Sequence, residues 1–584
     1  MNNNFNNFKL ATYIRAYEIE AKTNEQIEAT MDSFISQIHT DKIYVENHRG
    51  LCTIPVSRLK EIKTMINAKG IEAAGGITCT TLVNGIRKPA IFDTYCYTDP
   101  AHKAEYLQLI SELSSVFDEI ILDDFFFTSC RCEMCIKAKG KLSWKDYRLK
   151  LMEDFSHEAV AAAKASNPKV KFVIKYPNWY ESYQECGFNP AKQRDIFDGI
   201  YTGTETRTPY SQQHLQRYES YSIMQLMEHT APLRNGGGWI DPFGSENNMN
   251  YLLEQAQATL YGKAKELMLW NLFLYEERDL LPALSKALYR YDKELSLMGN
   301  PIGVSTYEPF NGDGEDQLYN YLGMCGVPIN PSPDFDSNAT TILFTESSAE
   351  DESSIEKLEE FVREGGNGIV TIGYFKKMYD KGIKDFTSTR LTGRHVLGKR
   401  YMIHNANSFN TCIDAFGKTD ILYEILTYKT NATHSDISLV ADEHNFPIMT
   451  EDNYGKGRFF ILNVPENYAD LYKLPMEVIR NLSKHISMGQ NVYIAGEPKF
   501  SLYAYDNDTY ALVSYSEVAK ELQIIVRGDD KKVIDINSGI EYTEKIKLPG
   551  PNHMEDAVTE FPEEPEYAFP IQLHPGSTIF FSVK

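Results

Sequence analysis

From residue 8 to about 292, short apolar runs alternate with amphipathic ones, the pattern of repeated strand–helix units. The predicted strands are FKLATYI (8–14), KIYVE (42–46), IEAAGGI (71–77), EIILDDF (119–125), KFVIKY (171–176), GIYTG (199–203), GGGWI (236–240) and ELMLWNL (266–272). Helical periodicity fills the intervals at 24–38, 56–70, 104–117, 147–165 and 249–264. Eight strands with crossover helices in this length predict a (β/α)8 barrel over residues 1–295.

The pattern then changes twice. Runs at 338–347 and 367–375 read as parallel strands around a helix at 353–366 that ends on Gly365-Gly366. A strand at 455–465 and a helix at 474–486 complete an α/β domain over 296–488. After about 490 the period becomes two, in runs at 500–508, 509–516, 522–529 and 577–583. They predict a small antiparallel β-sandwich over 489–584. The fold class is therefore α/β: a TIM barrel, an α/β domain and a sandwich.

In a barrel, side chains at the C-terminal ends of the strands form the site. Arg15 follows the first strand, and Glu46 and His48 close the second. Asp123 and Asp124 close the fourth, Lys175, Tyr176 and Trp179 the fifth, Glu205 and Arg207 the sixth, and Asp241 the seventh. Cleaving a glycosidic bond needs two carboxyl groups, a proton donor and a nucleophile or base. Asp124 and Glu205 are the leading pair, with Asp123 and Asp241 as further candidates. Strand alternation points only one of the two adjacent aspartates into the barrel mouth, with Asp124 favoured as the nearer to the strand end. Arg15, Glu46, His48, Lys175, Tyr176, Trp179 and Arg207 are candidates to hold sugar hydroxyls. Trp179, Trp239 and Trp270 are candidate stacking surfaces. A non-catalytic sugar-binding protein is the alternative reading.

Composition narrows the partner. A formal charge of -22 leaves no basic excess for a nucleic acid, while a neutral oligosaccharide or glycoside fits. Aromatic residues make up 12% of the chain, enough for ring stacking on sugars as well as for a core. No run approaches a membrane span, and MNNNFNNFKL lacks the features of a signal peptide. A cytoplasmic location is expected, or a periplasmic one if a signal peptide was removed. Nine cysteines in 584 residues are not a disulfide scaffold. Cys130, Cys132 and Cys135 nevertheless form a C-x-C-x-x-C run, with Cys96 upstream. Together they suit a closed structural Zn2+ site, with Cys79 an alternative fourth ligand and free thiols or a disulfide the other readings. No catalytic cofactor is expected.

Barrel, α/β domain and sandwich in this order resemble the family 42 glycoside hydrolases, the β-galactosidases and their relatives. The resemblance implies a zinc site at Cys96, Cys130, Cys132 and Cys135, which match the family's spacing residue by residue. It also implies a middle domain similar to class I glutamine amidotransferases that helps to build a homo-oligomer, usually a trimer. In GIVTIGYF, Tyr374 stands where an active amidotransferase has its elbow cysteine, so that domain is expected to be inert. The family pattern has Asn-Glu after strand 4 and a nucleophilic Glu after strand 7. Here those places hold Asp123-Asp124 and Asp241, with Glu205 after strand 6. An aspartate on strand 4 with an acid on strand 6 is closer to retaining α-galactosidase-like barrels, so β-galactosidase specificity is not carried over.

Overall fold

The computed structural model describes residues 4–81, 94–211, 214–404, 412–548 and 564–584. The chain separates into two compact units at Leu297/Met298.

The first unit is a closed barrel of eight parallel strands in sequential order. They are β1 (Lys9–Ile14), β2 (Lys42–Glu46), β3 (Glu72–Ile77), β4 (Glu119–Leu122), β5 (Lys171–Tyr176), β6 (Gly199–Gly203), β7 (Asn235–Ile240) and β8 (Glu266–Leu269). All eight expected strands are present. β4 and β8 stop three residues earlier than their apolar runs, because the chain turns at Asp123 and Asn271 to build the mouth.

Alternation along each strand stacks the interior in layers. At the bottom, Lys42 is 2.8 Å from Glu119 and 3.0 Å from Glu266. The middle holds Tyr13, Tyr44, Ala74, Ile121, Val173, Tyr201, Trp239 and Met268. The top layer is polar and forms the site described below. Gly237 belongs to β7 because a Cβ there would lie 2.1 Å from the Glu266 carbonyl oxygen. Glycine thus admits a neighbouring backbone rather than breaking the strand.

The helices cover the barrel with one apolar face each. In the helix Asn24–Gln37, Ile27, Met31 and Phe34 are buried at helical spacing. Thr23 starts it with a capping box, its hydroxyl accepting from the Gln26 backbone while Gln26 accepts from the Thr23 backbone at 2.9 Å.

The second unit contains a nine-stranded sheet. Its strands are β9 (Val304–Tyr307), β10 (Ile329–Ser332), β11 (Thr341–Phe344), β12 (Asn367–Thr371), β13 (Thr389–His404), β14 (Cys412–Tyr428), β15 (Thr433–Ala441), β16 (His444–Tyr454) and β17 (Gly457–Leu462). Their order is β10-β9-β11-β12-β17-β16-β15-β13-β14, parallel as far as β17 and antiparallel beyond it. The four antiparallel strands β13–β16 carry long mixed polar stretches without strict alternation, and the apolar pattern did not reveal them. The run at 367–375 is also not one strand. It ends at Thr371, whose hydroxyl accepts from Tyr374 N and caps a helix at Ile372–Met378.

The chain's last part forms two antiparallel sheets, one of five strands that includes Pro301–Ile302 and one of four. Val492, Ile494, Phe500, Leu502, Leu512, Ile524 and Phe569, drawn from both sheets, share one core. No helix among the described residues is long and apolar enough to cross a membrane.

Candidate active site

Lys175 organises the barrel mouth. It is the penultimate residue of β5 and faces inward, 1% exposed. Its Nζ donates to Asp124 Oδ2 and Glu205 Oε1, each at 2.9 Å, and lies 3.8 Å from Asp123 Oδ1. The ammonium also sits 4.2 Å over the Trp239 ring, which floors the site. Burial alone would lower the Lys175 pKa, but the three carboxylates reverse this and raise it, so it stays charged.

The two adjacent aspartates have different surroundings. Asp123 continues the inward parity of β4 and is almost saturated. Its Oδ2 accepts from Arg49 at 2.7 Å and Thr78 at 3.1 Å, and its Oδ1 from the Asp124 backbone at 2.8 Å. Although burial opposes it, Lys175 and Arg49 hold the Asp123 pKa below the usual carboxylate range. Asp124 lies past the strand end with a quarter of its side chain exposed. Burial, aided by Asp123 and Glu205 and opposed by Lys175, pushes it up to about 7. The inward aspartate is thus an anchor, and the outer one is the titratable group.

Glu205 stands two residues beyond β6, again inward, and is 3% exposed. Burial, then the Asp241 carboxylate, raise its pKa against Lys175 and Arg207. Its carboxylate accepts a hydrogen bond from Lys175. Glycine at 203 leaves room for that carboxylate, since a Cβ there would come within 2.7 Å of Glu205 Oε2. Asp241 is neutralised by Arg207, whose Nε and Nη2 lie 3.0 and 2.8 Å from its Oδ2. Arg207 reaches it from a left-handed backbone (φ 52°), a conformation non-glycine residues seldom adopt.

Glu46 is a hub of buried hydrogen bonds. It accepts from Tyr13 OH (2.9 Å), Ala16 N (2.7 Å), Arg49 Nε (3.1 Å) and the Thr78 hydroxyl. Arg15 pairs with Glu18, which also accepts from Asn271 at 3.2 Å, and its guanidinium lies 5.3 Å over Trp270. Trp270 is 9% exposed and packs on Phe243, and its buried indole N–H has no partner among the described residues. Trp179 packs edge-on against Phe127 and Phe188 in the loop after β5.

Two candidates do not face the mouth. His48 is buried with Nδ1 2.8 Å from Thr53 Oγ1 and Nε2 2.8 Å from the Thr80 carbonyl, leaving no ring nitrogen for a sugar. Tyr176 has the opposite parity to Lys175, so it points out into the helix layer, where its hydroxyl donates to Gln193 at 3.2 Å. The sequence reading missed Arg49, Thr78, Glu18, Phe243 and Phe125, whose ring centroid lies 5.8 Å from the Arg49 guanidinium. Only Arg49 left a signal, as the guanidinium immediately after His48 in VENHRG.

Cys96, Cys130, Cys132 and Cys135 converge, with all four sulfurs within 4.8 Å of one another. Cys96 Sγ lies 3.8 Å from Cys132 and 3.6 Å from Cys135. Four thiolates about 2.3 Å from a tetrahedral zinc would lie about 3.8 Å apart, whereas a disulfide needs about 2.05 Å. The cluster therefore fits a structural ion, and its cysteines are free of disulfides. Cys79 is not part of it, its thiol engaging Tyr106 OH.

Three family profiles match the chain: "Probable glycosyl hydrolase, catalytic domain" over residues 1–290, "Uncharacterized protein SSO3021, second domain" over 299–467, and "Probable glycosyl hydrolase, C-terminal domain" over 491–583. The uncharacterized protein SSO3021 of Saccharolobus solfataricus is 27% identical over 352 residues. That match covers 55% of this chain and 56% of the relative, so the chain spans about half the length of the curated protein it matches. Among solved structures, the β-galactosidase of Bacillus circulans sp. alkalophilus superposes with a TM-score of 0.64 at 10% identity, covering 99% of each chain. A catalytic variant of Gan42B, a GH42 β-galactosidase from G. stearothermophilus, gives 0.61 at 11% identity, again over 99% of each chain. The fold is that of the GH42 β-galactosidases over nearly the whole chain.

Proposed function

We propose that this chain is a retaining glycosidase that releases a terminal sugar from an oligosaccharide or glycoside, with Asp124 as acid/base and Glu205 as nucleophile. The observation that carries the reading is the pair of carboxyls, both with raised pKa, on one lysine. Each contacting oxygen is 2.9 Å from the same nitrogen, so the two lie within twice that distance. That is short of the ~6.5–9.5 Å used for inversion and suits the ~5–5.5 Å of retaining enzymes.

In the first step a Glu205 oxygen attacks the anomeric carbon as protonated Asp124 gives its proton to the leaving glycosidic oxygen. Forming the ester removes the Glu205 charge, one of the carboxylates that raised the Asp124 pKa. Asp124, ionised and held by Lys175, then takes a proton from water, which attacks the same carbon and frees Glu205. Trp239 and Trp270 would line the sugar's apolar face, with Arg15, Arg207, Trp179 and the Trp270 indole N–H toward its hydroxyls. Asp123 and Asp241, both already ion-paired, would position their neighbours.

We read the chain as three domains: catalytic barrel 1–295, amidotransferase-like domain 296–488 and β-sandwich 489–584. The middle domain would be without amidotransferase activity, since Tyr374 is buried and its hydroxyl donates to Ser354 at 3.1 Å. It would serve to assemble a homo-oligomer, in the first instance a trimer, and Zn2+ is the ion assigned to the four cysteines. The location would be cytoplasmic, or periplasmic after removal of a signal peptide.

The test is an initial-rate panel of α- and β-linked aryl galactosides, glucosides, arabinosides and fucosides between about pH 5 and 7, with D124N beside the parent. Hydrolysis of one anomer that collapses in D124N supports the reading. Tight sugar binding without turnover in the parent, and unchanged in D124N, would replace it with a carbohydrate-binding function.

A further inference from the structure

The nine-stranded sheet carries a second convergence of metal-ligand side chains. His434 and Asp436 lie on β15, and Glu451 is the cross-strand partner of His434 on β16. His485 comes from the helix Met476–Ile486. The His434 Nε2 is 3.5 Å from Asp436 Oδ1 and 3.5 Å from Glu451 Oε2, and the His485 Nε2 is 3.7 Å from Asp436 Oδ2. The ligand atoms of His434, Asp436 and Glu451 all lie within 4.8 Å of one another.

These separations are too long for charge-assisted hydrogen bonds, which close to about 2.7–2.9 Å. They are close to the ~3.3–3.4 Å between donors that each sit about 2.0–2.1 Å from one tetrahedral ion. The atoms involved are also short of partners. His434 Nε2 and Asp436 Oδ2 are shielded from solvent, and neither has a hydrogen-bond partner among the described residues. Asp436 itself is 4% exposed. A buried polar group of this kind costs about 1–3 kcal/mol unless something satisfies it.

The surrounding groups are arranged as around a metal. His485 Nδ1 donates to the Asn481 carbonyl oxygen at 2.8 Å, which sets the ring with Nε2 toward Asp436. Phe460 packs edge-on against the His485 ring and fixes its plane. Arg458 lies 3.5 Å from Oε1 of Glu451, leaving Oε2 for the cluster. Two carboxylates would balance a doubly charged cation.

We propose that His434, Asp436 and Glu451 form a structural divalent-metal site, of the zinc type, on the β15–β16 hairpin, with His485 of the helix Met476–Ile486 packed beside Asp436. The three protein donors lie on two paired strands, so the role of the ion is to lock the β15–β16 hairpin. Mixed imidazole and carboxylate donors favour Zn2+ or Co2+ over Ca2+ or Mg2+.

The full-length protein, stripped with a chelator and reloaded with Co2+, tests this directly. The proposed site would give visible d–d absorption without thiolate-to-cobalt charge transfer, which marks any ion held by the cysteines in the near ultraviolet. His434→Gln and Asp436→Asn are each expected to lose one equivalent of metal and that visible absorption, with the near-ultraviolet bands and circular dichroism unchanged. His434 is 45% exposed, so H434Q remains informative if D436N folds poorly. Equal metal content in wild type and H434Q would overturn the proposal. So would a wild type that takes up no metal beyond the cysteine site while His434 keeps an imidazolium NMR signature.

Discussion

Replacing Lys175 with methionine removes the one charge that the acids of the mouth share and keeps the length of the side chain. The ammonium lies within 4 Å of Asp123, Asp124 and Glu205, and it is 1% exposed, so no water takes its place. Removing one partner of a buried ion pair costs about 3–5 kcal/mol while the other stays charged. The carboxyls can escape part of that cost by binding protons. Asp124 and Glu205 already have raised pKa values, and without Lys175 both rise further. A folded carboxyl with a raised pKa binds protons that the unfolded chain has released. The penalty is therefore small near the unfolded pKa values of ~4 and grows as pH climbs toward the folded ones. Each further tenfold weakening of a carboxyl as an acid adds about 1.4 kcal/mol once the pH exceeds its new pKa. Urea unfolding of K175M and the parent at about pH 5 and pH 8 should show a loss of ~1–2 kcal/mol at the lower pH and ~3–5 kcal/mol at the higher. An equal loss at both would refute the electrostatic account and reduce Lys175 to a packing element.

If Asp124 is the proton donor, as proposed, the pH dependence of turnover should carry an alkaline limb near 7, since its pKa is pushed up to about 7. In D124N the residual rate should be flat through that range, and a wild-type profile without a limb between about 6 and 8 would remove Asp124 as the acid. At the opposite end of the barrel, K42M breaks contacts of 2.8 and 3.0 Å to Glu119 and Glu266. It should cost several kcal/mol in urea unfolding while the kcat of the folded fraction stays within about twofold, and a large fall in kcat would contradict a purely structural role. C132S should lower the thermal midpoint and lose one equivalent of bound zinc, because three thiolates no longer close a tetrahedron. Undiminished zinc content in C132S would place that ion elsewhere.

The barrel was legible because eight apolar runs at regular intervals leave few other ways to bury parallel strands, and all eight stand where the pattern put them. The cysteine cluster was legible for a similar reason, since C-x-C-x-x-C brings three sulfurs near one another locally, and only Cys96 had to come from afar. The strand-end acids were visible as residue types. Their roles were not, because strand parity and termination decide them: β4 stops at Leu122, which leaves Asp123 as a saturated anchor and Asp124 as the titratable group. His48 and Tyr176 sit at strand ends like the rest, yet one spends both ring nitrogens on its own loop and the other points outward. Arg49 enters the mouth from a hairpin whose course no local pattern encodes. The long antiparallel strands β13–β16 lack a strict alternation, and with them His434, Asp436 and Glu451 stayed scattered until the register of β15 against β16 brought them together. Periodicity determines which segments bury which face, whereas the meeting of charged groups from distant strands depends on register and barrel closure, which exist only in the assembled tertiary structure.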